Sequence, residues 1–224
     1  MLLKAEAVNR QFTRKRGDSN IFEAVQETNF TLAEQAFTIL KGASGSGKST
    51  LLNMLAGLLS PTKGKVTLDG TDLYALEDTE RSRLRNTHLG VIPQGQTALR
   101  SFSALENVLL PYMIYGEKIS EKEKSRALSL LERLGIAELC NVYPSELSGG
   151  ELRRVCIARA LIKEPEIILA DEPTGDLDEE NTEIILSLFH EYAKSGKSVL
   201  MVTHEKDTDS YADYLYHMKN GALS

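Results

Sequence analysis

The sequence predicts an α/β domain whose core is interrupted by a helical insert. Two short, largely apolar segments, Ile167–Ala170 and Ser198–Thr203, have the composition of buried parallel strands. Between them, Glu179–Ala193 carries acidic residues in its first turn and is followed by a glycine, as a helix would be. The stretch from about Ser101 to Lys163 is predicted to be mainly helical, so the strand–helix alternation stops there and returns after it.

The N-terminal part of the chain supplies further strands. Leu2–Val8 and Ile21–Leu32 are predicted strands joined by a polar loop at residues 14–20. A short apolar run, Ala36–Leu40, leads into a glycine-rich loop, and a helical pattern follows to about Leu58. The other strands predicted outside the insert are Lys65–Leu68 and Tyr214–Met218.

Length and charge limit the function classes. The chain has 224 residues, enough for one domain with a sizeable core and a smaller subdomain. Its formal net charge of -6 argues against a protein that coats DNA or RNA, which would show a basic patch. No apolar run approaches the roughly 18 residues that span a bilayer. Residues 1–10 also lack the apolar core of a signal peptide, so we expect any membrane association to come through a partner.

The glycine-rich loop matches the pattern G-x-x-x-x-G-K-[ST] over Gly42–Ser49, between a predicted strand and a predicted helix. Its glycines let the backbone wrap tightly, so that successive N–H groups face the phosphates of a bound nucleotide. Lys48 is expected to contact the β- and γ-phosphates, and the Ser49 hydroxyl to ligand Mg²⁺. The predicted nucleotide-binding residues of this phosphate loop are Gly42, Ala43, Ser44, Gly45, Ser46, Gly47, Lys48, Ser49 and Thr50.

Two carboxylates follow the predicted strand Ile167–Ala170, at the edge where open α/β sheets bind ligands. Because side chains alternate along a strand, Asp171 and Glu172 should point in different directions. We expect Asp171 to join the Mg²⁺ shell and Glu172 to polarise the attacking water. Taken alone, solvated carboxylates at a strand end would be the commoner explanation; the phosphate loop reverses that weighting.

A second glycine-containing segment, Leu147–Glu151, reads LSGGE and precedes a predicted helix to about Lys163. The Ser148 hydroxyl and the free N–H groups at this helix N-terminus form a candidate anion site. A simple N-cap followed by glycines would explain the segment equally well on its own.

With this pentapeptide, the chain resembles the ATP-binding subunits of ABC transporters over essentially its whole length. LSGGE matches the family signature, and the resemblance implies a nucleotide-binding role for it. Gln94 resembles the Q-loop glutamine, which contacts Mg²⁺ and reports to the permease, and His204 resembles the switch histidine. Arg154 matches the arginine of the signature helix. The nucleotide-contacting signature residues implied are Ser148, Gly149, Gly150 and Glu151.

Two further segments carry the resemblance. Pro173–Asp178 resembles the D-loop, and Asp178 is expected to contribute to nucleotide binding. Phe12 is expected to stack on adenine. The catalytic residues expected are Glu172, His204, Lys48 and Gln94, and the metal ligands expected are Ser49, Gln94 and Asp171.

The resemblance implies a P-loop NTPase (RecA-like) core with an antiparallel β subdomain and a helical insert typical of the family. The single domain 1–224 would divide into a core with its β subdomain at about 1–94 and 164–224, and a signature-bearing helical subdomain at about 95–163. Two copies would close head-to-tail over two ATP molecules, each signature completing the other copy's site. The other implied partner is an integral membrane permease, at the cytoplasmic face of the cell membrane, with no nucleic acid.

Several functions remain open within this resemblance. Ala104–Pro111 and Ala170–Gly175 resemble the exporter-type subgroup, which includes macrolide exporters, lipoprotein-releasing complexes and antimicrobial-peptide pumps. The cargo would be a lipophilic compound, a peptide or a lipoprotein, moved with Mg²⁺-dependent ATP hydrolysis.

A mechanotransmission or cell-division complex of the same build is an alternative. A soluble ABC ATPase of DNA repair or translation is disfavoured, because those usually carry two cassettes, coiled coils or zinc modules. A nucleotide-gated scaffold is disfavoured by Glu172 and His204.

Overall fold

The structure is a computed structural model that describes residues 1–13, 21–95, 97–175, 177–205 and 208–224. The polar loop predicted at 14–20 lies outside the described residues. The strands are β1 (Leu3–Thr13), β2 (Ile21–Thr31), β3 (Phe37–Lys41), β4 (Lys63–Leu68), β5 (Thr71–Asp72), β6 (Leu89–Ile92), β7 (Ile167–Asp171), β8 (Ser198–Thr203), β9 (Tyr214–Lys219) and β10 (Ala222–Leu223). The α-helices are α1 (Lys48–Leu55), α2 (Asp78–His88), α3 (Ala104–Met113), α4 (Glu121–Arg133), α5 (Gly149–Leu161) and α6 (Glu179–Lys194).

A six-stranded sheet with the order β10-β9-β3-β8-β7-β6 forms the centre of the fold. All of its strands run parallel except β10, which pairs antiparallel with β9. The carboxyl ends of β3, β8 and β7 are neighbours, since Lys41 pairs with Thr203 and Asp171 pairs with Val202. The segments that follow these three strands therefore leave the sheet at one edge, where the candidate site lies.

The central strands are buried on both faces, as their apolar sequences predict. In β7, Ile168 and Ala170 face the core cluster shared with α3, α4, α5 and α6. Ile167 and Leu169 face a second cluster, shared with α1 and the other sheet. That sheet is antiparallel, in the order β2-β1-β4-β5. The α/β class and the antiparallel β subdomain are therefore both present.

The helical layer consists of α3, α4 and α5. Ser120 and Glu123 form a capping box at the start of α4, and an apolar face of this helix packs into the core through Ala127, Leu130, Leu131 and Leu134. Helix α2 was not predicted, because apart from Leu84 its side chains are polar and none is fully buried, so it lacks an apolar stripe. Across the part of the chain that is described, every helix is too short or too polar to cross a lipid bilayer. The subdomain boundaries near residues 94 and 163 stay a prediction.

Candidate active site

The phosphate loop is clamped between two strands that approach its glycines. Gly47 has φ 106°, and a Cβ on it would lie 2.3 Å from the carbonyl oxygen of Ala24 in β2. A Cβ on Gly42 would lie 2.2 Å from the carbonyl oxygen of Met218 in β9. Both distances are far below van der Waals contact, so only glycine fits these positions. The backbone is thereby held in a tight curve before α1.

Polar groups converge on the inside of this loop. The Lys48 ammonium is buried and donates to the carbonyl oxygens of Gly42 at 2.7 Å and Ala43 at 3.3 Å. Ser46 Oγ is buried and, within the described residues, has no hydrogen-bond partner. A buried hydroxyl without a partner costs free energy unless a ligand satisfies it. The loop therefore fits a phosphate, which accepts hydrogen bonds from lysine, hydroxyl and backbone N–H groups.

A cavity of about 320 Å³ lies against the loop and is bordered by two aromatic rings. Phe12 and Phe22 stand directly opposite each other in the β1–β2 ladder, and each is 37% exposed. The guanidinium of Arg10 lies 4.7 Å from the centre of the Phe12 ring. Phe12 therefore lies beside the phosphate loop with an exposed ring face, and its stacking on adenine stays a prediction. Phe22 was missed, because the strand register that pairs it with Phe12 cannot be read across the intervening loop.

Two of the three expected metal ligands, Ser49 and Asp171, are in contact. Ser49 Oγ donates to Asp171 Oδ1 at 2.9 Å. Burial raises the pKa of Asp171, the Ser49 hydrogen bond opposes that shift, and the nearby Glu172 charge adds to it. A hydroxyl and a carboxylate are oxygen donors of the kind that Mg²⁺ prefers, and a cation would compensate the buried charge. Gln94, the third expected ligand, is exposed and follows β6.

Glu172 diverges from Asp171 and faces His204. Its Oε1 lies 2.9 Å from Nδ1 of His204 and 3.9 Å from Nζ of Lys48. Glu172 is 8% exposed, whereas the His204 side chain is 62% exposed. The structure therefore brings Lys48, Glu172 and His204 together beside the Ser49–Asp171 pair. This places a carboxylate and an imidazole where they could orient a water molecule next to the phosphate loop.

A side-chain bond that was not predicted joins two of the segments at this edge. Thr174 Oγ1 donates to Glu205 Oε2 at 2.8 Å. Thr174 follows β7 and Glu205 follows β8, so the bond links the D-loop segment to the residue after His204. Asp176, within the predicted D-loop, lies outside the described residues.

The LSGGE segment forms the exposed start of α5. The Ser148 N–H donates to Glu151 Oε2 at 2.7 Å, and the Glu151 N–H donates to Ser148 Oγ at 3.3 Å. The hydrogen bonds that the Glu151 carboxylate accepts from the Ser148 N–H and hydroxyl lower the pKa of Glu151. Ser148 and Gly149 are exposed and Gly150 is half-buried. Asp178, which is also exposed, caps α6 by accepting from the Asn181 N–H at 2.8 Å. Both segments thus present helix N-termini on the surface.

The two adjacent arginines of α5, Arg153 and Arg154, differ in what they contact. Arg154, which matched the signature helix, lies beside Asn181 and the Leu134 carbonyl. Arg153 is buried and instead donates to main-chain carbonyl oxygens that include those of Gln94 and Glu172. The sequence does not indicate this difference, because the arginines are adjacent and α5 is apolar on several sides.

A groove of about 490 Å³ runs between the central sheet and the helical layer, beside the segment that contains Gln94. Its exposed floor and walls are largely apolar. Ile114 on the α3 side is 61% exposed, and Leu58 on the α1 side is 51% exposed. Arg159 borders the groove and donates to the Thr97 carbonyl at 2.9 Å.

Comparisons with known proteins show the family and the fold of this chain. The ABC transporter family model matches residues 25–175. The lipoprotein-releasing system ATP-binding protein LolD of Alcanivorax borkumensis is 41% identical over 210 residues, which cover 93% of this chain and 91% of that protein. The ABC transporter ATP-binding protein YvrO of Bacillus subtilis is 40% identical over 199 residues, covering 89% and 86%. A solved dimer of the ATP-binding cassette MJ0796 in a post-hydrolysis state, bound to ADP and Pi, matches with a TM-score of 0.91 at 34% identity, covering 99% of this chain and 97% of that chain. The predicted fold class is confirmed.

Proposed function

The chain belongs to the ABC transporter family, and on that basis we propose that it is the Mg²⁺-dependent ATPase subunit of a transporter whose permease is a separate membrane protein. The observation that carries the proposal is the convergence of two pairs beside the phosphate loop: Ser49 with Asp171, and Glu172 with His204.

The proposed reaction uses this chain's own residues in distinct roles. The N–H groups of the phosphate loop and Lys48 hold the triphosphate, and Phe12 stacks on the adenine. Ser49, Asp171 and Gln94 would hold Mg²⁺, which when bound supplies positive charge to the β- and γ-phosphates. Glu172 accepts a proton from the water whose oxygen attacks the γ-phosphorus. The bond from that phosphorus to the bridging oxygen breaks, and ADP and inorganic phosphate result.

We propose that a second surface contacts the bound ATP, and that this surface is the exposed LSGGE segment of another copy. Ser148 and the α5 N-terminus would approach the γ-phosphate bound by the partner's phosphate loop. Asp178, exposed at the start of α6, is proposed to join the same interface. The solved MJ0796 dimers support a pairing of this kind. Hydrolysis removes the charge that bridges the two surfaces, so ATP favours closure and its loss favours opening.

We further propose that the groove beside Gln94 receives a segment of the permease at the cytoplasmic face of the membrane. Its exposed apolar side chains and its position between the sheet and the helical layer support this assignment. The cargo proposed is a lipoprotein extracted from the membrane, because several relatives are lipoprotein-releasing system ATP-binding proteins. Other exporter-type cargoes remain alternatives within the same mechanism, since YvrO is a comparable match.

A Glu172→Gln variant tests the proposed hydrolysis. It should bind ATP normally and turn over at least about 100-fold more slowly, because general-base contributions are typically 10²–10⁴-fold. It should also accumulate an ATP-bound dimer, measured by size-exclusion chromatography with MgATP.

Lys48→Ala should instead lose ATP binding, measured by calorimetry.

Glu166→Gln is the matched control, because Glu166 precedes β7 and pairs with His88 outside the site. Its ATP turnover should stay within about twofold of the unmodified protein, as expected for a surface change. Near-normal turnover in Glu172→Gln would remove Glu172 from its proposed role. Unchanged ATP affinity in Lys48→Ala would contradict the phosphate-loop assignment.

A further inference from the structure

A buried arginine contacts two of the segments that carry proposed catalytic residues, the one with Gln94 and the one with Glu172. Arg153 lies in the second turn of α5 and is 5% exposed. Its Nη1 donates to the carbonyl oxygens of Pro93 and Gln94, its Nη2 to those of Asp171 and Glu172, and its Nε to that of Pro173. A guanidinium has five N–H donors in a rigid plane, so the five carbonyl oxygens match its full donor set.

These carbonyl groups belong to two segments that leave the central sheet at adjacent strands. Pro93 and Gln94 follow β6, and Asp171 to Pro173 end and follow β7. Carbonyl groups that have left a ladder need other donors when they are buried. Lysine could supply three donors from one point and would lack the planar fork, so it could not bridge the same set. Arg153 therefore acts as a single rigid connection between the two segments.

The main chain of Glu172 is held in a conformation that needs such support. Its φ of 47° lies in the left-handed region, which costs on the order of 1–3 kcal/mol for a residue other than glycine. Its N–H donates to the Val202 carbonyl at 2.9 Å, and its own carbonyl accepts from Gly175 N–H at 3.2 Å and from Arg153 Nη2 at 2.6 Å. This strained geometry directs the carboxylate away from Asp171 and toward His204.

We propose that Arg153 is a positioning residue for ATP hydrolysis, which holds Glu172 in its working orientation and ties it to Gln94 and to the helix that begins at Ser148. The proposal rests on the proposed function, because it requires Glu172 to activate the attacking water. Movement of α5 is then passed to both loops through one planar group. A displacement of α5 would therefore also move the Glu172 carboxylate out of its working orientation.

Arg153→Lys and Arg153→Met test this role by steady-state ATP hydrolysis. The kcat should fall about 10- to 100-fold, since a misplacement near 1 Å can cost that much. The KM for ATP should stay within about threefold, because Arg153 does not line the phosphate loop. Both variants should accumulate an ATP-bound dimer, as expected for Glu172→Gln. A variant that had merely lost stability would bind less ATP and would form less of this dimer.

Tyr74→Phe is the matched control for loss of a buried main-chain contact. The Tyr74 hydroxyl lies 2.7 Å from the Met54 carbonyl oxygen and 2.6 Å from that of Leu59, away from the site. This variant should lower the melting temperature and leave kcat within about twofold. All rates are measured well below each variant's melting temperature. If Arg153→Met does not fold, Arg153→Lys, which keeps the charge, carries the test.

A double variant separates positioning from an independent contribution. If Arg153 acts through Glu172, Arg153→Lys combined with Glu172→Gln should hydrolyse ATP no more slowly than Glu172→Gln alone. Rate losses that multiply would overturn the proposal, as would a kcat for Arg153→Lys within twofold of the unmodified protein. Normal turnover in Glu172→Gln would instead overturn the proposed function itself, so the two failures are distinguishable.

Discussion

Neighbouring carboxylates at the end of β7 have different surroundings although they are adjacent in sequence. Asp171 accepts a hydroxyl hydrogen bond from Ser49, inside the fold. Glu172 lies against an exposed imidazole and within 3.9 Å of the Lys48 ammonium. The left-handed backbone at Glu172 separates their directions. Asp171 is thereby suited to binding a cation and Glu172 to accepting a proton. Different surroundings give adjacent acidic groups different roles in this way.

Asp171→Asn should stabilise the protein in the absence of nucleotide and Mg²⁺. Burial raises the pKa of Asp171 above its usual range, so the charged form weakens the fold at neutral pH. The melting temperature should rise by a few degrees at pH 7.5, since about 1 kcal/mol corresponds to roughly 2–4 °C for a chain of this size. The difference should shrink as the pH falls through the raised pKa of folded Asp171, and it should be lost below the ordinary pKa of 3.8, where the side chain is protonated in both folded and unfolded protein.

Thermal unfolding by circular dichroism at several pH values measures this effect. A variant less stable than the unmodified protein at pH 7.5, or a difference that does not change with pH, would contradict it. The same variant should gain less stability from MgATP, because one proposed Mg²⁺ ligand has lost its charge.

At the scale of an element, the phosphate loop depends on main-chain neighbours from two different sheets. Ala24 belongs to the antiparallel sheet and Met218 to the central sheet, and their carbonyl groups leave no room for a Cβ on Gly47 or Gly42. The loop is therefore shaped before any ligand arrives. Because the N–H groups are already in position, less conformational entropy is lost when a ligand binds.

Gly47→Ala and Gly45→Ala separate the effect of this clamp from that of backbone conformation. Both glycines have positive φ, but a Cβ on Gly45 meets nothing within 4 Å. Gly45→Ala should cost about 1–2 kcal/mol of unfolding free energy. Gly47→Ala should cost at least about 3 kcal/mol, because it adds a clash with main-chain oxygen. Urea denaturation without nucleotide measures both, and equal losses would show that the clamp is not rigid.

Elements with strong patterns could be predicted from sequence, and those defined by tertiary contacts could not. The apolar strands β7 and β8 and the capped helix α4 carry their own signals. Helix α2 carries no such signal, because Leu84 is its single apolar side chain and cannot form a stripe. Phe22 becomes part of the site only through its register with Phe12, and Arg153 only through the rotation of α5 about its axis. Register and rotation depend on packing partners that are distant in sequence.

For the whole molecule, the proposed ATP site is divided between two faces. The phosphate loop, Asp171, Glu172 and His204 meet at the edge of the central sheet, whereas Ser148 lies at the exposed start of α5. The hydrogen bonds of the Ser148–Glu151 capping box are made within α5 itself. A second copy is the partner that we propose for this surface.

Ser148→Tyr should abolish the ATP-dependent dimer and leave ATP binding to the single copy intact. The bulky ring would occupy the place of the partner's triphosphate. Ser120→Tyr is a close control, because Ser120 and Glu123 form the same capping box at the start of α4. Each change should cost about 1 kcal/mol of stability through the lost cap. Analytical ultracentrifugation with MgATP in a Glu172→Gln background compares them, and a dimer that survives Ser148→Tyr would contradict the proposed interface.

The exposed position of Ser148 also has a consequence for kinetics. When each copy owns only half of a working site, the turnover of dilute protein is limited by encounters between copies, and the rate per chain rises with concentration. Anchoring two copies on one permease replaces those encounters with a local concentration in the millimolar range for short tethers. The free subunit would then hydrolyse ATP slowly, and little ATP would be consumed by copies that are not bound to a permease.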